Sequence, residues 1–276
     1  MSKSFITKVW DAHLSIINYI FGPVHSRRLG RSLGICTLPR RRKICTYDCI
    51  YCEVGRTTDL VPPSFRLMGV NRAETFFLLE SVMEKLKTDE HIETLTMVGH
   101  RGEPTLNPRI VEITEGLKKI RDKYRPEASI VILTNSSTIT QQSVQEALTL
   151  FDKVIAKLDT ASQKKFETIN RPHEKVPSIE EIKDALVCFS KNHPGKLVIQ
   201  TLVLKSPIEE ANNSTRKDAE ELAKAYREIK PESVQIYGLD RCPPEDYVFP
   251  LSTEEIYNFS KEIKKQCPNI TLKTYP

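Results

Sequence analysis

The 276-residue chain contains no apolar run long enough to cross a bilayer, which excludes a membrane-spanning helix. It shows no cleavable hydrophobic leader after Met1, so a cytoplasmic protein is expected, and its seven cysteines are then not expected to form a disulfide framework. Glycine is scarce, at 10 residues, and no low-complexity tract or internal linker breaks the chain. Nothing therefore marks a second large domain, and the length suits one α/β unit with a substantial core. Net charge is also small. With 41 Lys and Arg against 36 Asp and Glu, the formal value of +5 does not by itself identify a nucleic-acid protein.

Against these absences stands one dense feature. Cys45, Cys49 and Cys52 lie in the run Cys-Thr-Tyr-Asp-Cys-Ile-Tyr-Cys. Three thiolates can hold a metal centre and leave one coordination position open; a cubane [4Fe–4S] cluster normally takes four, so three leave one iron free. The competing reading adds Cys36 to make a closed four-thiolate zinc site. Its long gap to Cys45 and the crowding of the other three differ from the paired knuckles of such sites. Cys188, Cys242 and Cys267 are scattered singly and read as small buried hydrophobes. Arg27, Arg28, Arg31, Arg40, Arg41, Arg42 and Lys43 crowd the approach to the loop. They can form a solvated face, stabilise an anionic centre, or hold the phosphates of an RNA.

Hydrophobic patterning predicts strands alternating with helices, the rhythm of a parallel sheet wrapped by helices. After a helix over 7–19, strands are predicted over 32–38, 91–99, 128–135, 154–159, 196–204 and 233–239. Helices fall over 72–87, 109–124, 178–192, 215–229 and 253–267, with an extended run over 270–275. The first of these five helices takes Phe76, Leu79, Val82, Met83 and Leu86 as its buried stripe. Polar residues recur at the predicted strand ends: the cysteine loop, Gly102-Glu103-Pro104, Asn135, Lys157 with Asp159, and Asp240-Arg241. In barrels of this kind the strand C-termini carry the chemistry.

The C-x3-C-x2-C spacing with Tyr51 before the last cysteine resembles the signature of the radical S-adenosylmethionine (SAM) superfamily. That resemblance implies a partial (β/α)6 TIM-like barrel, a [4Fe-4S] cluster on Cys45, Cys49 and Cys52, and SAM as second cofactor. It assigns Gly102 and Glu103 to the SAM methionine, although His100 and Arg101 stand where small residues are usual. Asn135, Lys157 and Asp159 follow as contacts to ribose or carboxylate, and Tyr51 as a platform for adenine. It also implies a flavodoxin- or ferredoxin-type electron donor. Phe21-Gly22-Pro23-Val24, Asn170-Arg171-Pro172 and Asp240-Arg241-Cys242-Pro243 are similar to a group of radical SAM iron–sulfur oxidoreductases related to tRNA wyosine-synthesis enzymes. Arg171, Tyr237 and Arg241 are then candidate substrate contacts, with RNA one open substrate class. The expected organisation is a helical extension over 1–20 and a single catalytic domain over 21–276. The alternative is a zinc-stabilised, non-catalytic module that binds nucleic acid.

Overall fold

The structure is a computed structural model that describes residues 19–38, 42–68, 72–89 and 91–276. The helix expected over 7–19 and the arginines Arg40 and Arg41 lie outside the described residues, apart from Tyr19. Ten strands and seven helices are described in chain order. They are β1 (Ile20–Ser26), β2 (Gly30–Cys36), β3 (Ile44–Cys45), β4 (Asp59–Leu60), α1 (Arg72–Thr88), β5 (Thr94–Val98), α2 (Ile110–Tyr124), β6 (Ser129–Thr134) and α3 (Gln142–Leu148). The remainder are β7 (Lys153–Lys157), α4 (Gln163–Asn170), α5 (Ile179–Asn192), β8 (Leu197–Leu202), α6 (Arg216–Ile229), β9 (Ser233–Tyr237), α7 (Thr253–Gln266) and β10 (Leu272–Tyr275).

The main sheet has the order β1-β2-β5-β6-β7-β8-β9-β10. Every pairing is parallel except β1 with β2, which is antiparallel. The six predicted strands are thus neighbours in sequence order, as successive β-helix-β crossovers of one hand produce, and they curl into a half-barrel. Alternation fixes what each face meets. Ile130 and Ile132 of β6 and Val154 and Ala156 of β7 pack in the large core beneath the helices. Val131, Ile155 and Val198 point the other way and form a separate cluster with Leu29 on the concave side.

Helix boundaries follow local chemistry. Ser178, Thr215 and Ser252 open α5, α6 and α7 with reciprocal capping boxes to Glu181, Asp218 and Glu255. In α6, Ala219, Leu222, Ala223, Tyr226 and Ile229 make a buried stripe at helical spacing. The stripe expected for α1 is rotated. Thr75, Leu78, Val82 and Leu86 are buried, whereas Phe76 is 51% exposed. The run Phe76-Phe77-Leu78-Leu79 is apolar all round, so periodicity alone cannot choose its inward face.

The strand β1 was not anticipated. Its register shifts between Phe21 and Val24, where Pro23 sits, and proline is tolerated at such an edge-strand irregularity. Phe21 lies over Gly34 of β2, where a Cβ would stand 2.2 Å from the ring. α3 and α4 were also missed, because seven or eight residues hold too few apolar positions to show a period.

Candidate active site

The cysteine loop leaves the sheet at the C-terminal end of β2 and is clamped along its length. β3, which carries Cys45, pairs with β4 beyond the loop and makes a bridge to Gly102. Ile44 N donates to Arg101 O at 2.9 Å, and Glu103 N donates to Ile44 O at 3.2 Å. Further on, Ile50 N donates to Ile169 O at 2.9 Å, docking the loop on the C-terminal end of α4. Inside, Thr57 N donates to Asp48 Oδ1 at 2.7 Å and Cys52 N to Cys49 O at 3.2 Å. A loop of polar main chain holds one shape only when its N–H groups are satisfied in this way.

The three thiols sit where these clamps meet, and each faces an N–H donor from a different place. Asn135 Nδ2 is 3.5 Å from Cys45 Sγ, Asn170 Nδ2 is 3.5 Å from Cys49 Sγ, and Lys43 Nζ is 3.0 Å from Cys52 Sγ. Burial pushes the Cys45 thiol up to about 11 and the Cys49 thiol up to about 12, and Cys52 adds to both through repulsion. Cys45 and Cys49 therefore resist becoming bare thiolates and favour that form once a cation replaces their protons. Among the described residues, no group of three or more His, Cys, Asp or Glu side chains forms a cage for a single metal ion. Thiolates around a cubane cluster also stand apart, because each binds a different iron. Cys36 is turned elsewhere, its Sγ donating to Leu38 O at 3.7 Å. The donor set thus fits an anionic thiolate-ligated cluster better than a closed zinc site.

Glu103 and Gly102 occupy the wall beside this loop. Glu103 is 2% exposed, and its carboxylate accepts from Thr105 N, Thr105 Oγ1, Thr134 Oγ1 and Asn135 N at 3.2, 2.7, 2.8 and 2.7 Å. Burial raises its pKa despite those four donors. Far from standing open to a ligand's ammonium, this carboxylate ties the β5 end to the β6 end and fixes the main chain of Asn135. The Asn135 amide in turn donates to Thr46 Oγ1 at 2.8 Å, within the cysteine loop. Gly102 has φ +129, and a Cβ there would lie 1.5 Å from Ile44 O. The close approach it permits is to the cysteine loop itself.

Tyr51, Lys157 and Asp159 form one buried knot. Lys157 Nζ lies 2.9 Å from Asp159 Oδ1 and donates to Tyr237 OH at 2.6 Å. The Tyr51 hydroxyl donates to Asp159 Oδ2, which also accepts from Asn170 Nδ2 at 3.1 Å, while Leu202 N donates to Oδ1 at 2.9 Å. With a side chain 1% exposed and four donors, Asp159 has no free edge. Burial opposes the Lys157 ammonium, yet Asp159 and Tyr237 outweigh it and raise its pKa. Lys157 also lies 5.0 Å from the Tyr51 ring centroid and 4.7 Å from that of Tyr237.

The basic run disperses. Arg27, Arg31 and Arg42 pair with Asp240, Asp89 and Asp59, and Arg28 stacks 4.2 Å from the Tyr237 centroid. Lys43 alone among its described members reaches a loop thiol. Of the candidate substrate contacts, Arg171 is held by Glu245 at 2.6 Å and Tyr247 at 2.7 Å, and Arg241 stands on the rim 3.6 Å from Glu53. The sequence singles out Lys43 only within the basic run and Asn170 only within a family-like motif, and gives neither a thiol of its own. Their signal was position, one helix end away from the loop and two residues before the first cysteine.

A family model described as "Radical SAM superfamily" matches residues 42–213, and the chain belongs to that superfamily. Within it the chain is 35% identical over 241 residues to a UPF0026 protein of Methanocaldococcus jannaschii, spanning 86% of this chain and 68% of the relative. Solved structures share the fold, two of them over most of this chain. A radical SAM methyltransferase from Sphaerobacter thermophilus superposes with TM-score 0.58 at 16% identity, over 91% of this chain and 67% of that one. TYW1 with a lysine-pyruvate adduct bound gives 0.55 at 14% identity, over 96% and 90%. The half-barrel is thus the partial TIM barrel of radical SAM enzymes, and among the described residues no helix is long and apolar enough to cross a membrane.

Proposed function

We propose that Cys45, Cys49 and Cys52 hold a [4Fe-4S] cluster, that SAM binds beside it at the mouth of the half-barrel, and that the enzyme abstracts hydrogen from an organic substrate there. The observation that carries this reading is the set of three neighbouring thiols, Cys45 buried and Cys49 and Cys52 half-buried, each met by an N–H donor. Held there, the cluster and SAM would supply reductive cleavage of SAM to methionine and a 5′-deoxyadenosyl radical, the one electron coming from a flavodoxin- or ferredoxin-type protein.

The chain's own residues then divide the work. Gly102 brings the second strand end against the cysteine loop, so that SAM has one continuous wall to lie on. Lys157 offers its remaining N–H, and Asn135 an amide N–H released from Thr46 or Cys45, to SAM carboxylate or ribose oxygens, and Tyr51 offers an aromatic wall. Glu103 and Asp159 act through these neighbours, the first by fixing Asn135 and the second by fixing Tyr51 and Lys157. Tyr237, Arg28 and Arg241 line the approach of the substrate, and the buried Tyr51 and Asp159 keep water from the floor of the site.

The test is anaerobic reconstitution with iron and sulfide, dithionite reduction with SAM, and assay for 5′-deoxyadenosine. Iron-dependent product in the wild type that vanishes in Cys49→Ala is the expected result. A colourless protein that retains zinc and yields no product would overturn the reading.

A further inference from the structure

Lys43 is 7% exposed, and its Nζ donates to Cys52 Sγ at 3.0 Å and to Gly55 O at 2.7 Å. Among the described residues no carboxylate pairs with it, although three of its basic neighbours in sequence each have one. A buried ammonium without a counter-charge is strongly unfavourable, so it persists where an anion answers it. The main chain fixes its place: Lys43 O accepts from Thr58 N at 3.1 Å and from Asp59 N at 2.9 Å, at the β3–β4 ladder. The side chain is therefore not a solvent tail that happens to fall on sulfur. The other two thiols meet neutral amides at 3.5 Å, so of the three it is Cys52 that takes a hydrogen bond from a full positive charge.

We propose that Lys43 is the fixed counter-charge of the iron–sulfur centre, a positioning residue that acts through the Cys52 sulfur to favour the reduced cluster. The inference rests on the cluster assigned above. One-electron reduction from an external donor adds one negative charge to a centre already carrying anionic sulfurs. A positive charge hydrogen-bonded to a ligating sulfur in a poorly screened site stabilises that added charge more than it stabilises the oxidised state. Neutral amide donors do so less, which separates Lys43 from Asn135 and Asn170 in effect.

The experiment is potentiometric titration of the reconstituted protein, followed by electron paramagnetic resonance without SAM, in wild type, Lys43→Met, Lys43→Gln and Lys43→Arg, with iron and sulfide counted in each. The expected result is at least a tenfold loss of reduced cluster at fixed potential in Lys43→Met and Lys43→Gln, a negative shift of about 59 mV or more for one electron. Lys43→Arg should recover most of it. A midpoint unchanged in the two neutral variants with iron retained overturns the inference and leaves the cluster in place. An arginine variant as low as the methionine one overturns it too, because shape rather than charge would then set the potential. A wild-type protein without any cluster would overturn the functional reading itself.

Discussion

At Gly102 the backbone adopts φ +129 with the Ile44 carbonyl where a side chain would begin. Alanine there must either push the cysteine loop away from the second strand end or distort the turn. Gly102→Ala should therefore destabilise the protein by roughly 3 kcal/mol or more and reduce iron uptake on reconstitution. Urea unfolding together with iron content checks both, and a variant with normal midpoint and full iron would remove Gly102 from the site. The residue is thus kept by the loop it touches, which sequence motif alone does not reveal. Glu103 and Asp159 teach the same lesson in another form: a carboxylate at a strand end looks free in sequence, yet each here is surrounded by four donors. Sequence shows that a charge is present; only packing shows that its valences are spent.

Among the elements, α7 gives the clearest pH dependence. Glu255 closes the capping box with Ser252 and pairs with Lys205 on the loop after β8, and hydrogen bonds from Ser252 N and from Lys205 lower its pKa from 4.5 to about 2. A carboxyl whose pKa is depressed in the folded state stabilises the fold above its unfolded value and loses that contribution on protonation. The share due to Glu255 is expected in full above about pH 4.5 and to fade as pH falls towards about 2. Thermal melts across that window should show a shallower acid limb in Glu255→Gln than in the wild type; identical limbs would refute the assignment. Helices such as α5, α6 and α7 were legible in sequence because stripe and cap agree. The short α3 and α4 were not, although α4 carries Asn170 to the cluster loop.

Taken as a molecule, the half-barrel has two edges, and the tip of the β1–β2 hairpin reaches from one to the other. Arg27 meets Asp240 and the Pro276 carbonyl, Arg28 stacks on Tyr237, and Leu29 packs with Val131, Ile155 and Val198. The Arg27 pairing is exposed, so it should contribute under about 1 kcal/mol to global stability. Arg27→Ala is expected to leave the melting temperature nearly unchanged while speeding amide exchange in β10 and the hairpin tip. Unchanged exchange there would mean that the tip does not hold the edge.

The sequence by itself determined the class of the molecule. Apolar runs of strand length, most of them separated by amphipathic helical stretches, marked six strands of a parallel α/β sheet, and the cysteine spacing marked the radical SAM signature, since both signals lie within short windows of chain. The tertiary structure decided everything that depends on residues far apart in sequence meeting. It turned Phe76 outward, built the β1 edge, separated Cys36 from the other three thiols, closed Lys157 onto Asp159, and set Lys43 against Cys52. Periodicity tells which residues share a face, but a buried charge finds its partner only when the whole chain has packed around it.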